Sequence, residues 1–134
     1  MAVLVPDNGE GDALQYFVNK LAPQNLVLKL FKSNTTPAET DTAATYTEAT
    51  FTGYAALTLA GASWVIVEGA PSAASYAIQT FTASAGAQNQ NIYGYFLVRS
   101  ASGRIAYAER FIDGPYLINN SGDSASVTPT ITLD

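Results

Sequence analysis

The sequence predicts a mainly β protein: an antiparallel β-sandwich, jelly-roll-like, of about eight short strands, with one N-terminal helix. Three observations carry this expectation. From residue 25 onward, short apolar or alternating runs recur between clusters of Gly, Pro, Ser, Thr and Asn, the pattern of a two-sheet antiparallel body. A helical apolar period occurs only before Pro23. The stretch IYGYFLVRSASGRIAYAERF, residues 92 to 111, reads as a hairpin, with Gly103 free to take positive φ in its turn.

The helix is expected within DNGEGDALQYFVNKLAPQ, where Leu14, Phe17, Val18 and Leu21 fall at i, i+3, i+4 and i+7. Asp7 or Asn8 can cap its start, and Glu10 and Asp12 suit the positive end of the dipole. Lys20 suits the other end, and Pro23 marks the stop. A helix of about a dozen residues is marginal alone, so it needs a surface to lie on. Its apolar stripe is expected to dock on its own body, the alternative being an arm that reaches a neighbouring subunit. The division expected is an arm over residues 1–24 and a β-sandwich over 25–134.

Residues 25–31, NLVLKLF, are apolar on both faces, as in a strand covered on both sides. The Thr- and Ala-rich stretch that follows, to residue 50, is a long loop, a length that tends to go with function or mobility. FTGYAALTL (51–59), SWVIVEG (63–69) and YAIQTFTAS (76–84) are expected strands. APSAAS is expected to connect two of them, and AGAQNQN (85–91) to be a loop. In the hairpin, Tyr93, Tyr95 and Leu97 should share one face, and Ile92, Phe96 and Val98 the other. On the return strand, Ile105, Tyr107, Glu109 and Phe111 should oppose Ala106, Ala108 and Arg110. The final run, SASVTPTITLD, contains Pro129, which cannot donate a ladder hydrogen bond and points to an edge strand or a bulge.

The 134 residues suit one core. Hydrophobic residues make up 48% and charged residues only 13%, against about 25% in ordinary globular chains. So little charge on an otherwise neutral surface favours association with a partner. Net charge is -5 and the six Lys and Arg are scattered. Nucleic acid, which needs converging cations, is therefore not an expected partner. The apolar runs are too short for a membrane span, and the start lacks the form of a signal peptide. Without Cys, no disulfide contributes and the redox compartment cannot be read.

Residues that carry chemistry are sparse. The chain has no His and no Cys, which removes the usual general base and the common transition-metal ligands. Asp7, Glu10 and Asp12 lie close together, but the spacing of a calcium loop is missing, and a solvated helix start explains them. No enzyme, cofactor or metal is expected. Glu109 and Arg110, adjacent in a strand, should face opposite sides and take separate partners. One of them is either a rim salt bridge or a charge-assisted contact that fixes a subunit interface. The tyrosines raise a similar question, being common at core rims, at interfaces and in sugar-binding grooves. The interface candidates are Leu14, Phe17, Val18, Tyr46, Tyr54, Tyr93, Tyr95, Tyr107, Glu109 and Arg110.

The succession LVLKLFKSNTTP, YTEATFTGYAAL, SWVIVEG, TFTASAG, IYGYFLV, IAYAERFIDGP and VTPTITL covers most of the chain from about residue 26 to its end. It resembles capsid decoration (cement) proteins and minor virion structural proteins of tailed bacteriophages. That resemblance implies a β-sandwich or jelly-roll domain on the outer capsid surface. It also implies a major capsid protein as partner, a homotrimeric state and a role in bridging capsid subunits. The N-terminal helix is not part of the resemblance. Alternatives are a glycan-binding module of a fibre or tail, with the 85–91 loop and Tyr93 as its groove, or a tail or neck component.

Overall fold

The computed structural model describes residues 4–133. The chain is mainly β, with a single α-helix among the described residues, α1 (Asp7–Phe17). Every strand pairing is antiparallel. The largest sheet runs in the order β2 (Leu57–Leu59), β1 (Leu26–Phe31), β7 (Gly94–Arg99), β8 (Ile105–Arg110). A three-stranded sheet joins β11 (Thr130–Leu133), β4 (Ser72–Ser75) and β3 (Val65–Val67). Two further ladders pair β10 (Ser124–Val127) with β5 (Gln79–Thr82) and β6 (Gln90–Ile92) with β9 (Tyr116–Ile118).

The 25–31 run behaves as its composition predicts. β1 is flanked by β2 and β7 and is covered on both faces. Leu28 and Leu30 enter one apolar cluster, and Phe31 enters the other. The first cluster gathers Tyr95 and Leu97 of β7 with Ile92, Phe81, Ile118, Ala125 and Val127 from the two-stranded ladders. The second is smaller and aromatic. Tyr46 lies against Phe31 and stacks on Phe96, with ring centroids 4.9 and 5.1 Å away.

The described residues form eleven strands rather than about eight. APSAAS is not a connection: its Ser72–Ser75 end forms β4, with β3 and β11 paired on either side. Residues 51–59 are a strand only at their end. Phe51 and Tyr54 both reach the first cluster through a turn, with Tyr54 N–H donating to Phe51 O and Gly53 at φ +96°. The 85–91 loop is shorter than expected because Gln90 already opens β6. Pro129 separates β10 from β11, which belong to different sheets.

The hairpin forms, with Gly103 at φ +68°, but three of its residues change sides. Tyr93 lies between β6 and β7 and packs on the second cluster with Phe96 and Val98, while Ile92 joins Tyr95 and Leu97. On the return strand, Leu97 pairs with Tyr107 but Val98 pairs with Ile105, so Ala106 is the extra residue of a bulge. Ile105 is thereby moved to the second cluster, away from Tyr107.

The long 32–50 segment is fastened rather than loose. Lys32 and Ala49 N–H donate to Thr47 O and Leu30 O, at 2.8 and 2.9 Å, and Phe31 bridges to Glu48. Tyr46 plugs the second cluster, and its hydroxyl donates to Asp41 Oδ2 at 2.7 Å.

At Gly94 the backbone leaves no room for a side chain. A Cβ there would run into the Glu109 carbonyl and lie 2.6 Å from Phe31 Cζ, in a ring that is itself fully buried. Gly94→Ala should therefore cost about 1–3 kcal/mol by overpacking. The expected sign is a lower urea midpoint at unchanged slope.

Candidate protein-contact face

Helix α1 sits on β8 by an unexpected side. Gly9 and Asp12 are its buried residues, and Gly9 lies directly against the Ala106 carbonyl. Asp12 is 3% exposed and Arg99 5%. Arg99 Nε lies 2.9 Å from Asp12 Oδ2, an ion-pair distance, although its N–H is not aligned for a hydrogen bond. Arg99 Nη1 donates to Tyr16 Oη at 3.2 Å, with the guanidinium over the Tyr16 ring. Arg104 adds Nε to Asp12 Oδ2 at 3.4 Å and Nη2 to Asn8 Oδ1 at 3.1 Å. Charge and close backbone approach thus fix the helix to the sheet.

The ends of α1 also differ from expectation. Pro6 occupies the N-cap position, and no side chain caps it. Asn8 is engaged by Arg104, and Asp7 N–H donates to Glu39 O. The stop precedes Pro23 by several residues. Asn19 takes φ 57°, its N–H donates to Tyr16 O, and Lys20 N–H donates to Gln15 O. This is the double closure of a Schellman ending.

Because the polar side faces inward, the apolar stripe faces out. Phe17 is 90% exposed, Leu14 68% and Val18 67%. The expected docking of this stripe on its own body does not occur: Gly9 permits a closer approach than a row of large side chains would. Beside the stripe, Val5, Ala13, Leu14, Phe17, Tyr107 and Leu133 line an open depression of about 460 Å³. It adjoins a second of about 200 Å³ lined by Ile66, Ala74, Ile131, Leu133 and Tyr107. Ile66, Ala74 and Ile131 are directly paired across β3, β4 and β11, hence one row on one sheet face. Tyr107 and Leu133 are common to both depressions, so helix and small sheet form the walls of one apolar groove. Among the described residues, Glu10 is the one charged residue lining these two depressions. Burial raises the pKa of the Tyr107 phenol, with a smaller contribution from Tyr16.

The remaining candidates lie elsewhere. Tyr46 and Tyr95 are core residues. Tyr54 packs on Phe51 and Phe81, accepts from Leu30 N–H and donates to Glu48. Glu109 and Arg110 do face opposite sides. Glu109 accepts from Tyr95 Oη at 2.7 Å. Arg110 covers the Tyr93 ring and donates to Thr35 O and Asn34 Oδ1, at 2.9 and 2.7 Å. Both contacts are within the chain, and Arg110 ties the 32–50 segment to the sheet. In the 85–91 region, Gln88 and Gln90 accept from the Thr52 and Thr50 N–H groups, so their amides brace the fold.

Sequence reasoning missed Asp12, Arg99, Ile66 and Leu133 as determinants of this face. Gly9, Asp12 and Tyr16 follow a helical spacing of their own, a signal obscured by the more apolar stripe beside it. The class that fold and face define is a mainly β, antiparallel protein with one N-terminal helix and an open apolar groove. Comparison with family models, with curated proteins and with solved structures returned no match.

Removing one partner of a buried ion pair strands the other. Asp12→Asn should lower stability by about 3–5 kcal/mol, read as a reduced urea midpoint. A change within error would show that the latch contributes nothing net. Burial, before any other cause, raises the phenol pKa of Tyr46, Tyr54 and Tyr95, and their carboxylate neighbours add to it. The folded chain keeps these phenols neutral, whereas the unfolded chain ionises them near pH 10. Their contribution is therefore complete below about pH 10 and is lost as pH rises towards the folded pKa values. The last portion of tyrosinate absorbance should appear only as the circular dichroism of the fold collapses.

Proposed function

We propose that this chain is a structural virion protein, a β-sandwich that binds the outer surface of a phage capsid and stabilises it by bridging capsid subunits. The observation that carries the contact role is the apolar groove and ridge formed by α1, β3 and β11. Phe17 is 90% exposed, and Leu14, Val18, Ile66 and Leu133 are each about two-thirds exposed, large apolar side chains gathered on one side, as at protein-contact surfaces. Such a surface favours covering by another protein. The virion setting rests on the resemblance of the motif succession from residue 26 onward. In support, those motifs supply the core: Leu28, Leu30, Phe51, Tyr95 and Leu97 all lie in the first cluster.

The mechanism is mass action without bond chemistry. A protein that binds one state of a shell stabilises that state in proportion to the logarithm of its free concentration over Kd. Repeated contacts on a repetitive surface raise avidity by about 10²–10⁴ without improving any single one. The uncharged Thr, Ser, Asn and Gln surface suits wide, moderately polar contact, and the fastened 32–50 segment is a candidate for it.

The test is re-addition. Purified chain is mixed with shells stripped of it, and the shells are then challenged by heat or chelator. Bound chain should cosediment with the shells and raise the temperature at which they open. Chain that stays in the supernatant at every concentration tested would count against the virion role.

A further inference from the structure

We infer that the outer edge of β3 is a strand-addition site for an extended segment of another protein, one that carries a Lys or Arg across from Glu68. This deepens the contact role assigned to this side of the molecule and rests on it. β3 has the sequence of a central strand in the place of an edge strand. Val65, Ile66 and Val67 make both of its faces apolar, as in β1. Yet β1 lies between β2 and β7 with Leu28, Leu30 and Phe31 fully buried. Among the described residues β3 has only β4 beside it, and its three side chains are 60%, 64% and 60% exposed. Edge strands ordinarily carry a charge, a Pro or a bulge against further pairing. β11, at the other edge of this sheet, follows Pro129 and alternates with Thr. β3 has no such guard within it.

The backbone of β3 says what form the occupant takes. Tyr76 N–H donates to Pro129 O at 2.9 Å, one step beyond the Ser75–Thr130 pair. Bonded directions alternate along an antiparallel strand, so Ala74 also turns its backbone groups to β11, while Ser75 and Ala73 turn theirs to β3. Their partners are Val65 and Val67. The N–H and C=O of Ile66, between them, therefore point outward from the sheet. An extended segment can satisfy both; a helix, with its backbone groups already paired internally, cannot. Side chains of the added strand would continue the Ile131–Ala74–Ile66 row that walls the groove. Charge sets the composition. Glu68 is exposed just past β3, and no cation pairs with it among the described residues. A second copy brings no extended segment with a cation to spare. Lys29 holds Glu48, Lys32 holds Thr50, Arg99 and Arg104 hold the α1 latch, and Arg110 holds Thr35 and Asn34. Lys20 lies in the closing turn of α1. The overall charge of -5 likewise disfavours a second copy and favours a basic segment.

Amide exchange of the full chain, read by NMR, tests this. The probe is a soluble synthetic peptide that alternates Val with Thr and carries one Lys. Alone, the chain should exchange its Ile66 amide freely. At saturating peptide that amide should become protected, while those of Val65 and Val67, already bonded to β4, should change little. The same peptide N-methylated along one edge should not bind, a result read on the unaltered chain. Ile66→Pro removes the outward N–H without removing a bond to β4, and should abolish capture with circular dichroism unchanged. Thr in place of the peptide's Lys should weaken capture by about 2- to 5-fold, the worth of one cross-strand charge pair. An Ile66 amide that exchanges freely at every peptide concentration overturns the inference. So does capture that survives N-methylation or is indifferent to the Lys. Ile66 protection that grows with chain concentration in the absence of peptide also overturns it, giving the edge to a second copy. Re-addition to stripped shells separates the two proposals. Peptide capture by a chain that ignores shells keeps the strand site and removes the virion role. Shell binding by a chain that captures no peptide does the reverse.

Discussion

The structure depends on one constraint: β1 and β7 lie side by side and are apolar on both faces. Leu28, Leu30, Tyr95 and Leu97 point one way, and Phe31, Phe96 and Val98 the other. Neither face can be left to water, since each fully buried side chain of this size is worth about 1.5–3 kcal/mol. One face is covered by the β10–β5 and β6–β9 ladders with Phe51. Among the described residues no strand covers the other, which is closed by Tyr46, brought in on the 32–50 segment. That is why a long stretch without regular strands is firmly attached, with Arg110 and the Lys29–Glu48 pair holding it at two points.

Covering an apolar sheet with tyrosines requires somewhere to put their hydroxyls. Tyr46, Tyr54, Tyr95 and Tyr116 each donate to a carboxylate, namely Asp41, Glu48, Glu109 and Asp113. A buried hydroxyl without a partner would cost about 1–3 kcal/mol, so these pairs let the rings enter while the oxygen ends remain satisfied. The same arrangement affects the exterior. Of eleven acidic residues, four serve as phenol acceptors and Asp12 serves the helix latch. With so few charges to begin with, the surface that remains is largely neutral, which favours contact over repulsion.

Much of this was legible in the sequence. The two-faced apolar character of 25–31, the hairpin turn at Gly103 and the opposed directions of Glu109 and Arg110 all follow from period and turn chemistry. What failed did so for local reasons. Alternation assumes an unbroken strand, and the chain breaks it at Tyr93 and bulges at Ala106, so Ile92 and Ile105 change sides. Small-residue strands such as Ser72–Ser75 lack the apolar signature by which strands are recognised. For α1, the helix and its stripe were legible, but the face that docks was not. Hydrophobic periodicity reports which side is apolar, and here close approach at Gly9 and the Asp12–Arg99 pair determine which side is buried.

That inversion bears on stability as well as on contact. An eleven-residue helix is marginal by itself, and its most apolar side is left largely exposed. Its hold comes from a buried pair whose net worth after desolvation is small, although breaking it is costly. Hydrophobic residues of similar volume at Asp12 and Arg99 would attach the helix at least as well. What the charged latch adds is direction: one acid between two arginines admits one rotation of the helix about its axis. An apolar docking face tolerates sliding and rotation, and Leu14 and Phe17 would then compete for the sheet. The latch removes that competition by giving the inward side a partner the apolar stripe cannot imitate, and the ridge is left standing beside its groove.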